Sequence, residues 1–192
     1  AKRINEEMVR RALEQYQKIV EIDPKDIESW LLLGRLHRVS QNSAEAEKAF
    51  KQALELEPSN EDAMSELALV YANLGDNRRA LEMWEKAAAS KPSRRNLVAL
   101  AGAYEDLRDY ANAVAVLERA VEAEPDNTDL QRMLGQNLMM AGKLDEALRV
   151  FTEVAEEDPK DTQALMQIFR IHRERRDLGK AREALDAGAD EV

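Results

Sequence analysis

A chain of 192 residues with 34% charged and 5% aromatic side chains can form one sizeable domain or a short array of small units, and its Ala, Glu, Leu, Arg and Lys bias favours helix over strand. A net charge of −10 argues against a nucleic-acid binder that works by overall attraction, and the absence of cysteine excludes disulfide frameworks, thiolate zinc sites and cysteine nucleophiles. No apolar run approaches a membrane span and the opening AKRINEEMVRRALEQY carries no secretory signal, so a soluble chain without membrane insertion is expected, with the cytoplasm favoured.

The first predicted element occupies residues 1–26 and is a helix closed by Pro24. Met8, Ala12, Tyr16 and Ile19 lie along one stripe, and Val9, Leu13, Val20 and Ile22 add further apolar surface. One neighbouring helix cannot cover all of it. Val9, Leu13 and Val20 are therefore candidates for self-association into a homo-oligomer, with a fragment of a longer array as the alternative.

The rest of the chain repeats. All five prolines (Pro24, Pro58, Pro92, Pro125 and Pro159) stand 34, 34, 33 and 34 residues apart, each ending a helical pattern. Twelve residues before each proline is an alanine, giving Ala12, Ala46, Ala80, Ala113 and Ala147, and Ala181 continues the column. Four residues further on a large side chain recurs as Tyr16, Phe50, Trp84, Leu117, Phe151 and Leu185; three beyond it come Ile19, Ala53, Ala87, Ala120, Val154 and Gly188. Small and large residues at this spacing share one helix face and present notches and a knob to a neighbour. The first half of each unit repeats as well: Trp30, Leu33, Gly34 and His37 return as Met64, Leu67, Ala68 and Tyr71, and then in three further units. That spacing is one apolar stripe on a helix of about four turns. Gly75 and Gly142 fall where a turn would lead into the second helix, a role taken by Val39–Ser43 in the first full unit.

WLLLGRLH followed by AEKAF and then Pro58 resembles the tetratricopeptide repeat, and the resemblance runs through nearly the whole chain. It implies an all-α solenoid of antiparallel helix pairs, stacked as a right-handed superhelix of about eleven helices with the first helix of each pair on the concave face. Residues 1–26 would supply the second helix of a partial repeat. Full repeats would follow at 27–60, 61–93, 94–127 and 128–161, and a terminal one without its closing proline at 162–192, all in one continuous domain. Four positions depart from the pattern: His37 and His172 replace a large core residue, Gln131 replaces an apolar one, and Phe169 sits where close packing asks for Gly, Ala or Ser. A looser last pair is expected. The linker KPSRRNL is one residue short, which predicts an altered connection there.

Signatures of catalysis are missing. The sequence has no glycine-rich phosphate loop, no His-Glu-x-x-His pair and no nucleophile elbow. His37 and His172 are the only histidines and stand four repeats apart in one column, which suits structural roles rather than a shared metal. A non-enzyme without cofactor, metal or small-molecule substrate is expected.

Function is then expected on first-helix positions that point away from the core stripe, the face the resemblance assigns to ligands. At 100° per residue these include Leu31 and Arg35, then Leu69, then Val98. The fourth full repeat offers Arg132, Gln136, Met139 and Met140, and the last offers Met166, Gln167 and Arg170. Methionine, flexible and polarizable, suits a surface that adapts to a partner's apolar side chains. Met139 and Met166 are the better groove candidates; Met133 and Met140, at the stripe's edge, fit core and groove equally well.

The resemblance also bears on the partner's chemistry. Family members that hold carboxy-terminal tails use a carboxylate clamp; Arg132, Gln136 and Gln167 occupy its first three places as longer homologues of its Lys, Asn and Asn, a partial match, and the chain ends before the helix that would complete it. A backbone-gripping asparagine ladder is contradicted by Leu32, Glu66, Ala99, Met133 and Gln167. The basic block RIHRERRDLGKAR, residues 170–182, has no interleaved aromatics for base stacking, so a solvated outer face is the better reading than nucleic acid. A protein or peptide bound by apolar anchors and arginines is the expected partner.

Overall fold

The structure, a computed structural model, describes residues 2–175, 179, 180, 183 and 186. The described residues form ten α-helices and no strand, as an all-α array of helix pairs requires. Of the expected eleventh helix only residues 179, 180, 183 and 186 are described, all helical; Ala181, Leu185 and Gly188 of the repeated columns lie outside the described residues. By its contacts the chain divides into two compact units, Ala1–Leu107 and Arg108–Val192.

The first unit contains α1 (Lys2–Ile22), α2 (Ile27–Val39), α3 (Ser43–Leu56), α4 (Glu61–Asn73), α5 (Asn77–Ser90) and α6 (Arg94–Asp106), each packed on the next in chain order. The second contains α7 (Tyr110–Ala123), α8 (Thr128–Met140), α9 (Leu144–Glu157) and α10 (Thr162–Glu174), packed in the same serial way. Helix starts are written in the sequence. Asp26, Asn42, Asn60, Asp76, Ser93, Asp109, Asn127 and Asp161 each accept a hydrogen bond from a backbone N–H of the first turn. Only α9, preceded by Lys143, lacks a side-chain cap among the described helices α2–α10.

The turns within helix pairs share one device. Gln41, Gly75, Arg108 and Gly142 all have φ between 58° and 76°, so a left-handed residue sits at the same place in each turn whether or not it is glycine. The linkers between repeats share another: Asp26, Asn60, Asn127 and Asp161 each donate their backbone N–H to the carbonyl three residues back. The short linker differs. Ser93 N–H reaches only two residues back, to Lys91 at 2.8 Å, and the buried Asn96 amide donates to Lys91 O at 2.9 Å, Ala87 O at 3.3 Å and Glu61 Oε1 at 2.9 Å. An interior asparagine thus replaces the missing turn bond.

The repeated ring and small residue form the central contact of a pair. A Cβ placed on Gly34 would stand 2.5 Å from the Phe50 ring, and one on Gly135 would stand 2.6 Å from the Phe151 ring. Both rings are fully buried, each worth about 1.5–3 kcal/mol in transfer terms. The α4/α5 pair holds Ala68 and Trp84 at the same two positions, both buried.

Of the four departures from the pattern, Gln131 has a clear physical equivalent. Gln131 Nε2 donates to Pro125 O at 2.7 Å, as Trp30 Nε1 donates to Pro24 O at 2.9 Å, so amide and indole make the same bond six residues back. In the histidine column, Tyr71 and Tyr104 donate their hydroxyls to Glu47 at 2.9 Å and Glu85 at 2.7 Å, whereas Nδ1 of His37 and of His172 is buried without a partner. Burial pushes His37 below the usual histidine range against the opposing pull of Glu45. Phe169 is half-buried, with the Arg173 guanidinium 5.8 Å from its ring centroid. Most of the helix expected to pack on Phe169 falls outside the described residues.

The glycines give opposite signs on substitution. Alanine gains about 1 kcal/mol over glycine in a helix interior, but overpacking costs about 1–3 kcal/mol. Gly135→Ala should therefore lower stability in urea unfolding. Gly102→Ala should raise it by about 0.5–1 kcal/mol, because no described atom lies within 4 Å of its Cβ position. A Gly135→Ala gain equal to that at Gly102 would show that the ring does not need its seat.

Candidate functional site

The first helix of each pair carries two faces, one turned to its partner helix and one to the candidate groove. In the first unit the groove face is largely self-satisfied. Leu31, expected on it, is only 5% exposed and joins Ala63, Leu67 and Val70 in the core, because α4 packs on α2 directly. Arg35 Nε donates to Glu66 Oε1 at 2.8 Å and its Nη2 to Asp62 Oδ2 at 3.2 Å, while Arg38 Nε donates to Glu66 Oε2 at 3.0 Å. Glu66 is 8% exposed between its two arginines. Burial pulls the Arg35 guanidinium down, but Glu66 and Asp62 outweigh it and hold it above its ordinary value. Leu69 is exposed on α4 and Val98 half-buried on α6.

In the second unit α8 and α10 carry the methionines. Met140 is 61% and Met166 48% exposed, Met139 and Gln167 are half-buried, and Gln136 and Arg170 are exposed. Leu130, Leu134 and Leu138 fill the opposite side of α8 and leave the methionines free of core duty. Arg132 is held internally, donating to Asp129 on its own helix and to Asp161, the N-cap of α10. Asp129, then Asp161, raise it above its ordinary value despite burial. Arg175, which follows α10, pairs with Asp145 of α9. No carboxylate among the described residues pairs with Arg170.

Two sequence expectations therefore separate. The arginines Arg35 and Arg132 sit on the expected helices but spend their donors within the chain, and the exposed cations of the face are Arg170 and Arg173. Their carboxylate partners carried a signal: Glu66 lies at a groove position one repeat beyond the arginine pair, and Asp161 is the cap residue one repeat beyond Asn127.

On α1, Val20 is 2% exposed and packs with Leu33 and Ala49, because its side of the helix faces α2. Val9 and Leu13 are half-buried and line a shallow depression with Val39, Ser40 and Gln41. Met8, Ile19 and Ile22 are exposed. Among the described residues no group of His, Asp or Glu is placed to hold a metal, and no helix is long and apolar enough to cross a membrane.

Residues 5–115 match the family model described as the cytochrome c-type biogenesis protein H TPR domain, and residues 104–150 and 138–192 match a tetratricopeptide repeat model. The chain belongs to the tetratricopeptide repeat family. Similar curated proteins include a peroxisomal targeting signal receptor of Komagataella phaffii, 33% identical over 36% of this chain and 12% of the receptor. Another is human protein O-mannosyl-transferase TMTC1, 28% identical over 71% of this chain and 16% of the transferase. The chain thus spans only a small part of the length of these relatives. Among solved structures, YrrB, a TPR protein with an unusual peptide-binding site, superposes with a TM-score of 0.73 at 27% identity, covering 93% of this chain and 92% of its own. MamA shares the fold at a TM-score of 0.69 and 19% identity over 82% of this chain and 93% of its own. Tetratricopeptide repeats are scaffolds for protein–protein interaction, and this chain has their architecture.

The Glu66 pairing is measurable in the chain alone. Glu66→Gln should cost about 1–2 kcal/mol in urea unfolding, since a charge-assisted pair is lost but its arginines stay partly solvated. High salt should reduce the loss only slightly, because Glu66 is buried and weakly screened. The absence of any cost would remove the electrostatic account of this face.

Proposed function

We propose that the chain is a non-enzymatic scaffold whose second unit holds a peptide or helical segment of a partner protein against α8 and α10. Met139, Met140 and Met166 act as adaptable apolar anchors, with Gln136 and Gln167 beside them to pair with backbone or side-chain amides. Arg170 and Arg173 read acidic groups of that segment; Arg35 and Arg132 shape the face through their internal ion pairs. The observation that carries the reading is the pair of exposed methionines, Met140 and Met166, on helices whose core is already filled by other residues, Leu130, Leu134 and Leu138 on α8 and Ala164 and Ile171 on α10. The peptide-binding site named for YrrB and the targeting-signal role named for the peroxisomal receptors support it as properties of similar proteins.

Self-association through α1 is a second reading, favoured by the exposed Met8, Ile19 and Ile22. With Val20 turned inward, those residues rather than Val20 would form the contact, together with Val9 and Leu13.

Peptides selected from a random display library against the full chain supply a probe. Met140→Lys, Met166→Lys and Arg170→Glu combined should weaken the selected peptides about tenfold or more, the loss expected for removing one buried anchor, with thermal unfolding unchanged. Leu69→Lys should leave binding intact. Unchanged binding in the triple variant, or loss only with Leu69→Lys, would refute this placement. Concentration-dependent sedimentation abolished by Ile19→Lys would establish the α1 reading beside it.

A further inference from the structure

We infer that Met140 and Met166 are reversible oxidation sites through which peroxide releases the partner from the α8/α10 face. The inference rests on the proposed binding role of that face, and its chemistry is tested separately from it. The chain has no cysteine, so its seven methionine thioethers are its only sulfur. They differ sharply in access. Met64 is 6% exposed within the core, and Met83, Met133 and Met139 are half-buried. Met140 and Met166, at 61% and 48%, are open to a small oxidant and lie on the face that carries Met139 and Arg170. Met8 is as exposed but lies on α1, in the other unit.

The reaction is a two-electron oxygen transfer. The thioether sulfur attacks the terminal oxygen of hydrogen peroxide, the O–O bond breaks, and sulfur becomes a sulfoxide as peroxide is reduced to water. An apolar, flexible anchor turns into a polar, chiral acceptor that no longer suits an apolar side chain of the partner. The core is untouched, because Leu130, Leu134 and Leu138 hold α8 from the opposite side. Methionine sulfoxide reductases reverse the change, one enzyme for each sulfoxide epimer.

The test treats the full native chain with hydrogen peroxide, maps sulfoxides by mass spectrometry over time, and measures affinity for a display-selected peptide. Met140, Met166 and the reference Met8 should oxidise about tenfold or more faster than Met64, with thermal unfolding unchanged. Peptide affinity should fall about tenfold on oxidation and recover after treatment with both reductases, whereas in a Met140→Leu, Met166→Leu chain peroxide should cause no further change from that chain's own untreated affinity. Slow oxidation at Met140 and Met166 overturns the inference whatever the peptide does. So does oxidation without loss of affinity, or a loss that persists in the leucine chain. A selected peptide that ignores charge substitutions on this face defeats the binding proposal instead, and the oxidation map still stands or falls by its own rates.

Discussion

The seating of an aromatic ring on a residue with no side chain is the contact on which the α2/α3 and α8/α9 pairs depend. Phe50 over Gly34 and Phe151 over Gly135 bring two backbones closer than any larger residue allows. That approach fixes the rotation of the first helix about its axis. Once Leu33 or Leu134 is turned inward with the glycine, the opposite side of the same helix must look outward. The face open to a partner is therefore a by-product of packing, and its chemistry is free to vary.

The two units use that freedom differently. In the first, two arginines and two carboxylates neutralise one another across α2 and α4, and Leu31 is drawn into the core by direct contact between these helices. Such a surface offers a partner few unsatisfied groups. In the second, Arg132 is consumed by Asp129 and Asp161, but the methionines and Arg170 have no such employment among the described residues. Surface with spare apolar area and unspent charge is the kind a partner can use. The membership of the chain in a family of interaction scaffolds accords with that division.

Much of the fold was legible because the signals repeat. Five prolines at nearly constant spacing, the alanine column, the large residue four on and the apolar stripe of the first helices locate every described helix to within a few positions. The local substitutions were harder. Nothing in the letters of Gln131 says that an amide can reach the carbonyl an indole reaches, and Asn96 reads as an ordinary polar residue until the structure shows its amide bracing the shortened linker at Ala87 O and Lys91 O. Gln41 and Arg108 hide a left-handed turn that Gly75 and Gly142 advertise. The site was legible by helix and face but not by charge state, because whether an arginine is free depends on a carboxylate some thirty residues away. Val20 shows the same limit on α1: an apolar residue on a terminal helix announces burial without saying which side is buried.

Hydrogen–deuterium exchange of the full chain, with and without a display-selected peptide, tests the central claim most directly. Protection confined to residues 132–140 and 166–174 is the predicted result. Protection of residues 31–38 and 62–69 in its place would contradict the assignment of the binding face to the second unit.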